Sequence, residues 1–333
     1  MIIIIFKVKG LSYVQEKQYD GLAAVLLGFM ILAACGRMSE PEDNPSETAA
    51  QGGAPVTRVY IDVQGREVEM PANPQKIVYI GSKPGDLLAL GVKPIGASLS
   101  VVAGQIAYSE MIAGIEDVGY PYSAEKVLSL EPDLILFDDW DIDGLASLEK
   151  IAPTVVVGTD DATPTRERVG RIAELLGRAD AAAAWFAAYD AKAADVKKKL
   201  DLQGNETALS LLLLGKDMYV MGNQGLNATL YDQLGFKPSD GVRQLIDQNE
   251  RFADISDEVL PDYAGTYIFI LSDSADETVA ARTKLTESTL WKTIPAVREG
   301  RVYTLDSKYN FNDPITLDRL LDEIASIMTN EAG

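Results

Sequence analysis

One cysteine and no histidine occur among the 333 residues, and those two counts remove most of the chemistry a chain of this size could perform. Without histidine the commonest general base and the commonest metal ligand are missing, which excludes Ser-His-Asp and Cys-His nucleophile systems and HExxH zinc sites. The 27 glycines contain no Gly-x-Gly triplet, and no GxxxxGKS/T run occurs. The dinucleotide fingerprint and the phosphate loop are therefore absent as well. Lysine, tyrosine and carboxylate chemistry remains. Two carboxylates sit in matching contexts, Glu125 in SAEKVL (Ser123–Leu128) and Glu258 in SDEVL (Ser256–Leu260), each shortly before an apolar run. A pair of solvated helix acids among 50 acidic residues would give the same pattern.

The elements that must position such groups belong to an ordinary globular body, 47% hydrophobic and 24% charged. The length exceeds the roughly 250–300 residues at which one core stops growing, so two lobes are expected. A net charge of −20 repels phosphates and anionic lipid heads, which argues against nucleic acid as a partner.

The lone cysteine has an informative address. Gly21–Ala34 (GLAAVLLGFMILAA) is an uncharged apolar run, short for a membrane span and suited to the h-region of a secretory signal. Lys7, Lys9 and Lys17 precede it, although MIIIIF at the start is unusual for an n-region. Leu32-Ala33-Ala34-Cys35-Gly36 then resembles a bacterial lipobox, which implies cleavage before Cys35 and diacylglycerol on its sulfur. Two acyl chains, at about 0.8 kcal/mol per buried methylene, would hold the protein on the outer face of the cell membrane. The competing reading is an incidental cysteine after an anchor helix. Residues 37–55 are rich in Pro, Gly, Ser and acids and read as a flexible tether.

In the body, Val56–Met70 alternates around Gln64-Gly65 as a hairpin would. Ile77–Ile80, Lys93–Ala97, Leu134–Phe137 and Thr154–Val157 read as short buried strands, with helices beginning near Asp86 and ending near Leu130. That alternation predicts a parallel, doubly wound sheet. Residues 165–200 lack proline and carry apolar positions at helical spacing, with Thr165 as N-cap and a break at Gly177. Strands then return at Leu209–Leu214, Met218–Met221, Tyr267–Leu271 and Arg301–Leu305, with helices at Thr229–Leu234 and Thr316–Met328. The chain reads as a signal segment (1–34), lipidated Cys35 and tether (35–55), an N-terminal lobe (56–164), a helical region (165–200) and a C-terminal lobe (201–333).

Several runs resemble, in order and spacing, the iron–siderophore substrate-binding lipoproteins of ABC importers. They are Asp62–Arg66, Pro74–Val78, Leu88–Gly96, Leu130–Ile135, Ala173–Gly177, Asp254–Glu258, Ile294–Val297 and Gly300–Tyr303. The resemblance covers essentially all of residues 56–330. It implies the class III periplasmic-binding-protein fold of ferrichrome- and ferrioxamine-binding type: two Rossmann-like α/β lobes with mainly parallel sheets, joined by a long interlobe helix, with ligand in the cleft. It also implies no enzyme activity, no cofactor beyond iron carried inside the siderophore, a monomer, and an ABC permease dimer with its ATPase as partner. On this reading Glu125 and Glu258 each crown one lobe and dock onto permease arginines.

Ligand contacts are sought in loops after strands, where open α/β sheets place their sites. Ser82 and Lys83 follow the first strand and Trp140 the Leu134–Phe137 strand; Asn223, Gln224 and Asn227 follow Met218–Met221, and Tyr309 and Phe311 follow the last strand. Aromatic faces suit a large chelate, and amides and lysine reach its oxygens. Trp291 reads equally well as core. Few basic residues occur in these loops, which favours a neutral or cationic hydroxamate complex over an anionic catecholate. Catecholate, ferric citrate, haem and cobalamin remain alternatives within the fold, and an exported Rossmann-like enzyme or surface protein is the alternative outside it.

Overall fold

In the computed structural model the described residues are 56–158 and 163–329, so the expected signal segment, Cys35 and most of the tether lie outside them. The alternating segment forms a hairpin, β1 (Thr57–Ile61) antiparallel to β2 (Glu67–Pro71), with Gly65 at φ +75° in the turn. Asp62 organises that turn, accepting from the amides of Gln64 and Arg66 at 3.0 Å each. Arg66 in turn donates to the Thr154 carbonyl at 3.1 Å, fastening the hairpin to the first lobe.

That lobe comprises β3 (Ile77–Ile80), α1 (Gly85–Leu88), β4 (Gly96–Ala97), β5 (Glu116–Asp117), α2 (Ala124–Ser129), β6 (Leu134–Phe137), α3 (Leu145–Leu148) and β7 (Thr154–Val156). Its five strands are all parallel, in the order β5-β4-β3-β6-β7. Every residue of β3 and β6 is buried, as expected where both faces of a parallel sheet are covered. β4 is shorter than the expected Lys93–Ala97 strand, because Pro94 has no amide to give a ladder.

Two helices follow, α4 (Thr165–Leu176) and α5 (Ala179–Leu200), separated at Gly177, whose φ of +64° ends the first. Thr165 is not the N-cap. Pro164 takes that position, and the Thr165 hydroxyl instead donates to the Asn312 carbonyl at 2.6 Å.

The second lobe contains β8 (Thr207–Leu214), β9 (Asp217–Met221), α6 (Leu226–Ala228) with a π-helical continuation over Thr229–Leu234, and β10 (Lys237–Pro238). It continues with α7 (Asp240–Asp247), β11 (Phe252–Asp254), α8 (Leu260–Tyr263), β12 (Tyr267–Ser272), α9 (Asp276–Glu287), α10 (Pro295–Arg298), β13 (Val302–Asp306) and α11 (Pro314–Thr329). Its sheet runs β11-β9-β8-β12-β13, with β10 beside the start of β8. β8, β10, β11, β12 and β13 run in one direction and β9 runs against them, so this sheet is mixed. Trp291 is core, 4% exposed.

Each lobe has its own apolar interior, and two helices serve both. From α5, Ala182 and Phe186 enter the first core, while Tyr189, Ala193 and Val196 enter the second. From α11, Ile315 enters the first core and Leu320, Leu321 and Ile324 the second. Trp185 sits at the seam, stacked on Tyr189 at 5.5 Å and edge-on to Phe186 at 5.0 Å. Each large apolar side chain so buried contributes about 1.5–3 kcal/mol, which ties the lobes together from both struts.

Candidate ligand site at the lobe junction

The chain leaves β3 through the turn Gly81-Ser82-Lys83, and one carboxylate shapes that turn. Asp138, the residue directly after β6, is buried and accepts the Ser82 amide at 3.0 Å and the Tyr79 hydroxyl at 3.3 Å. The Tyr79 oxygen also accepts the Lys83 amide at 3.1 Å. A Cβ at position 81 would overlap the Asp138 carboxylate and the Tyr79 ring, so only glycine fits there. Burial pushes the Asp138 carboxyl up to about 7, with the Lys83 ammonium opposing the rise.

Behind the turn lies a second polar layer. Arg168 of α4 clasps Asp86 of α1, Nε to Oδ2 at 2.6 Å and Nη2 to Oδ1 at 3.0 Å, with both side chains buried. The same guanidinium reaches the Asn312 carbonyl at 3.2 Å, on the segment that leads out of the second-lobe sheet. Next to it, Asp313 is fully buried against Gly85 and accepts the Thr316 amide at 3.2 Å and its hydroxyl at 2.7 Å, heading α11. Burial raises the Asp313 carboxyl to about 6. Arg319 completes the joint, donating to the Ala107 carbonyl at 2.5 Å and pairing with Glu110.

On the second-lobe side, Gly225 has φ +53°, and a Cβ there would come within 2.5 Å of the Asn310 side-chain oxygen. This approach sets the loop 222–227 against the segment carrying Tyr309 and Phe311. β9 is antiparallel to its neighbours, so that loop does not leave the carboxyl edge shared by β8, β12 and β13; the Gly225–Asn310 contact supplies the proximity that strand order does not.

The sequence candidates thus string together: Ser82 through Asp138, Gly85 to Asp313, Asn310 to Gly225. Trp140 lies in the short 3₁₀ turn Asp139–Gly144, two residues beyond Asp138. Ser82, Gln224, Tyr309 and Phe311 are partly exposed and Asn223 is exposed. Gln224 accepts from Arg251 at 3.2 Å and Asn223 donates to Asp232 at 3.4 Å. Lys83 and Asn227 differ, at 6% and 0% exposed. The Asn227 amide donates to the Met221 and Gly222 carbonyls at 2.7 and 3.0 Å, so it braces its own loop. Glu125, in the first turn of α2 behind the Ser123 cap, and Glu258, between β11 and α8, are both exposed. The sequence reading missed Tyr79, Asp86, Asp138, Arg168 and Asp313. An acid placed immediately after a fully apolar strand, as Asp138 is, was the available signal.

The family model of periplasmic binding proteins matches residues 77–309, from β3 through the Tyr309 segment. The chain belongs to the periplasmic binding protein family. This is the kind of family the sequence motifs pointed to, and the match spans both the Ser82 turn and the 222–227 loop. The iron(3+)-hydroxamate-binding protein FhuD of Bacillus subtilis is 32% identical over 330 residues, covering 96% of this chain and 100% of FhuD. The probable siderophore-binding lipoprotein YfiY of the same organism is 29% identical over 304 residues, covering 87% of this chain and 91% of YfiY. Among solved structures, a FhuD-fold periplasmic binding protein component of a ferrichrome ABC transporter from Bacillus subtilis is 33% identical, with a TM-score of 0.69 over 81% of this chain and 100% of that one. The chain is accordingly a substrate-binding protein and not an enzyme.

Proposed function

We propose that this periplasmic binding protein captures a ferric hydroxamate siderophore at the lobe junction and delivers it to an ABC permease dimer driven by its ATPase. It works from the outer face of the cell membrane, as a monomer anchored through diacylated Cys35. The end-to-end similarity to a hydroxamate-binding protein supports the ligand class. The observation that carries it is electrostatic. Each buried cation at the junction faces a carboxylate, Arg168 against Asp86 and Lys83 against Asp138, with Asp313 adding a further acid. Among the described residues the buried cations at the junction are therefore matched by acids, which disfavours a strongly anionic catecholate, and amides, hydroxyls and aromatic rings are offered instead.

On this reading Ser82, Trp140, Asn223, Gln224, Tyr309 and Phe311 meet the chelate, while Lys83 and Asn227 hold the loops that present them. Glu125 and Glu258 dock onto the permease, where exposed ion pairs of about 0–1 kcal/mol each orient the partner without trapping it. Similarity to a relative named a lipoprotein supports the anchor at Cys35. Tryptophan fluorescence titrated with a ferric hydroxamate, a ferric catecholate, ferric citrate, haem and cobalamin tests the proposal. Saturable quenching by the hydroxamate at the lowest concentration is expected; preference for any other member of the panel overturns the ligand class.

A further inference from the structure

We propose that Asp138 is a positioning residue for chelate capture: its carboxylate fixes the backbone amides of Ser82 and Lys83 and so sets the shape of the first-lobe turn that meets ligand. The inference rests on the reading of Ser82 as a ligand-facing residue.

Two consecutive amides of the turn converge on this one group. Ser82 donates to it directly at 3.0 Å, and Lys83 does so through the Tyr79 hydroxyl, 3.1 Å from the amide and 3.3 Å from the carboxylate. The turn has no slack, because position 81 has no room for a side chain between Asp138 and Tyr79. Both Tyr79 and Asp138 are buried, at 2% and 3% exposed, so water cannot substitute for either link.

A carboxylate is a costly way to hold a loop that an amide could also hold. The groups facing it are the Tyr79 hydroxyl from β3, the Lys83 ammonium from the turn, Asp86 from α1 and Arg168 from α4. Arg168 is already committed to Asp86 in a two-point clasp, leaving Lys83 as the cation nearest in effect. An ionised acceptor makes stronger hydrogen bonds to backbone amides than a neutral one, so the turn is held most firmly when Asp138 is charged. With the carboxyl raised to about 7 by burial, that state fills and empties around neutral pH.

A packing role and a positioning role predict different pH dependences. A residue that only supports the core loses affinity by the same factor at every pH. Asp138→Asn keeps the shape of the side chain but removes a charge facing the buried Lys83, so some melting temperature should be lost in either case, while a positioning role adds an affinity loss that grows from pH 6 to pH 8.

The experiment uses the full-length protein in detergent and ferrioxamine B as the probe, with affinity measured from pH 6 to pH 8 alongside thermal unfolding. Wild type is expected to bind more tightly as pH rises through this range. Asp138→Asn is expected to bind about tenfold more weakly at pH 8, the cost of one charge-assisted hydrogen bond, and to show a flat pH profile. Tyr79→Phe cuts only the Lys83 link and should fall between them, which keeps the test usable if Asp138→Asn does not fold. Ser82→Trp is expected to block binding. If Ser82→Trp blocks binding but Asp138→Asn keeps wild-type affinity and the wild-type pH slope, the positioning inference fails alone. If Ser82→Trp binds normally, the ligand-facing reading fails and takes this inference with it. An affinity loss in Asp138→Asn that is the same at pH 6 and pH 8 also overturns it.

Discussion

Arg168 grips both carboxylate oxygens of Asp86 at 2.6 and 3.0 Å, and with its remaining reach touches the Asn312 carbonyl at 3.2 Å. One buried side chain on α4 thereby joins the first helix of the first lobe to the segment entering α11. The buried charge pair fixes the guanidinium within the first lobe, and its hydrogen bond to Asn312 carries the link toward the second-lobe sheet.

Breaking the pair from one side leaves the partner charge buried and uncompensated. Arg168→Ala should therefore destabilise the protein by about 3–5 kcal/mol, read from the midpoint of urea unfolding. The double variant Asp86→Leu with Arg168→Met should recover most of that loss, since no charge is then stranded.

Stability should fall as pH rises from about 4 to about 7. Asp138 and Asp313 have folded-state carboxyls raised to about 7 and about 6, so between the unfolded value near 4 and these values the folded protein holds more protons than the unfolded chain. Each such group lowers stability by up to about 1.4 kcal/mol per pH unit inside its window and adds nothing above it. Denaturation midpoints at pH 4.5, 6 and 8 check this, and Asp138→Asn should flatten the upper part of the curve.

Gly225 and Gly65 make a matched comparison. Both have positive φ, +53° and +75°, but only at position 225 would a Cβ overlap a neighbour, Asn310. Gly225→Ala should cost about 1–3 kcal/mol and weaken chelate binding by displacing the Tyr309–Phe311 segment. Gly65→Ala should strain its turn and leave affinity unchanged, which isothermal titration would show.

How much of this was legible beforehand depended on periodicity. The fully apolar runs Ile77–Ile80, Leu134–Phe137 and Tyr267–Leu271 announced central strands, and Gly177 announced the break between α4 and α5. The two-residue strands β5 and β10 carry too few residues for any period to show. α11 was readable as an amphipathic helix; that its first turn enters one core and its later turns another depends on where the chain comes from, which periodicity does not encode. The buried charges were hidden for a similar reason. Asp86 and Arg168 stand 82 positions apart, and each alone looks like a surface helix residue. Loops after strands pointed to Ser82, Trp140 and Tyr309 as candidates, yet the rule cannot tell Asn227, which is buried, from Asn223, which is exposed.

Charge reversal at the two exposed glutamates separates capture from delivery. Glu125→Lys and Glu258→Lys should abolish siderophore-dependent iron uptake in cells while leaving the dissociation constant within about twofold, since solvent-exposed charges contribute little to affinity.

The most direct measurement is the structure of the full-length protein with ferrioxamine B bound. The intact chelate is expected between the Gly81–Lys83 turn and the Tyr309–Phe311 segment, its iron surrounded by hydroxamate oxygens alone. Iron coordinated by a protein carboxylate, or the chelate seated away from the lobe junction, would contradict it.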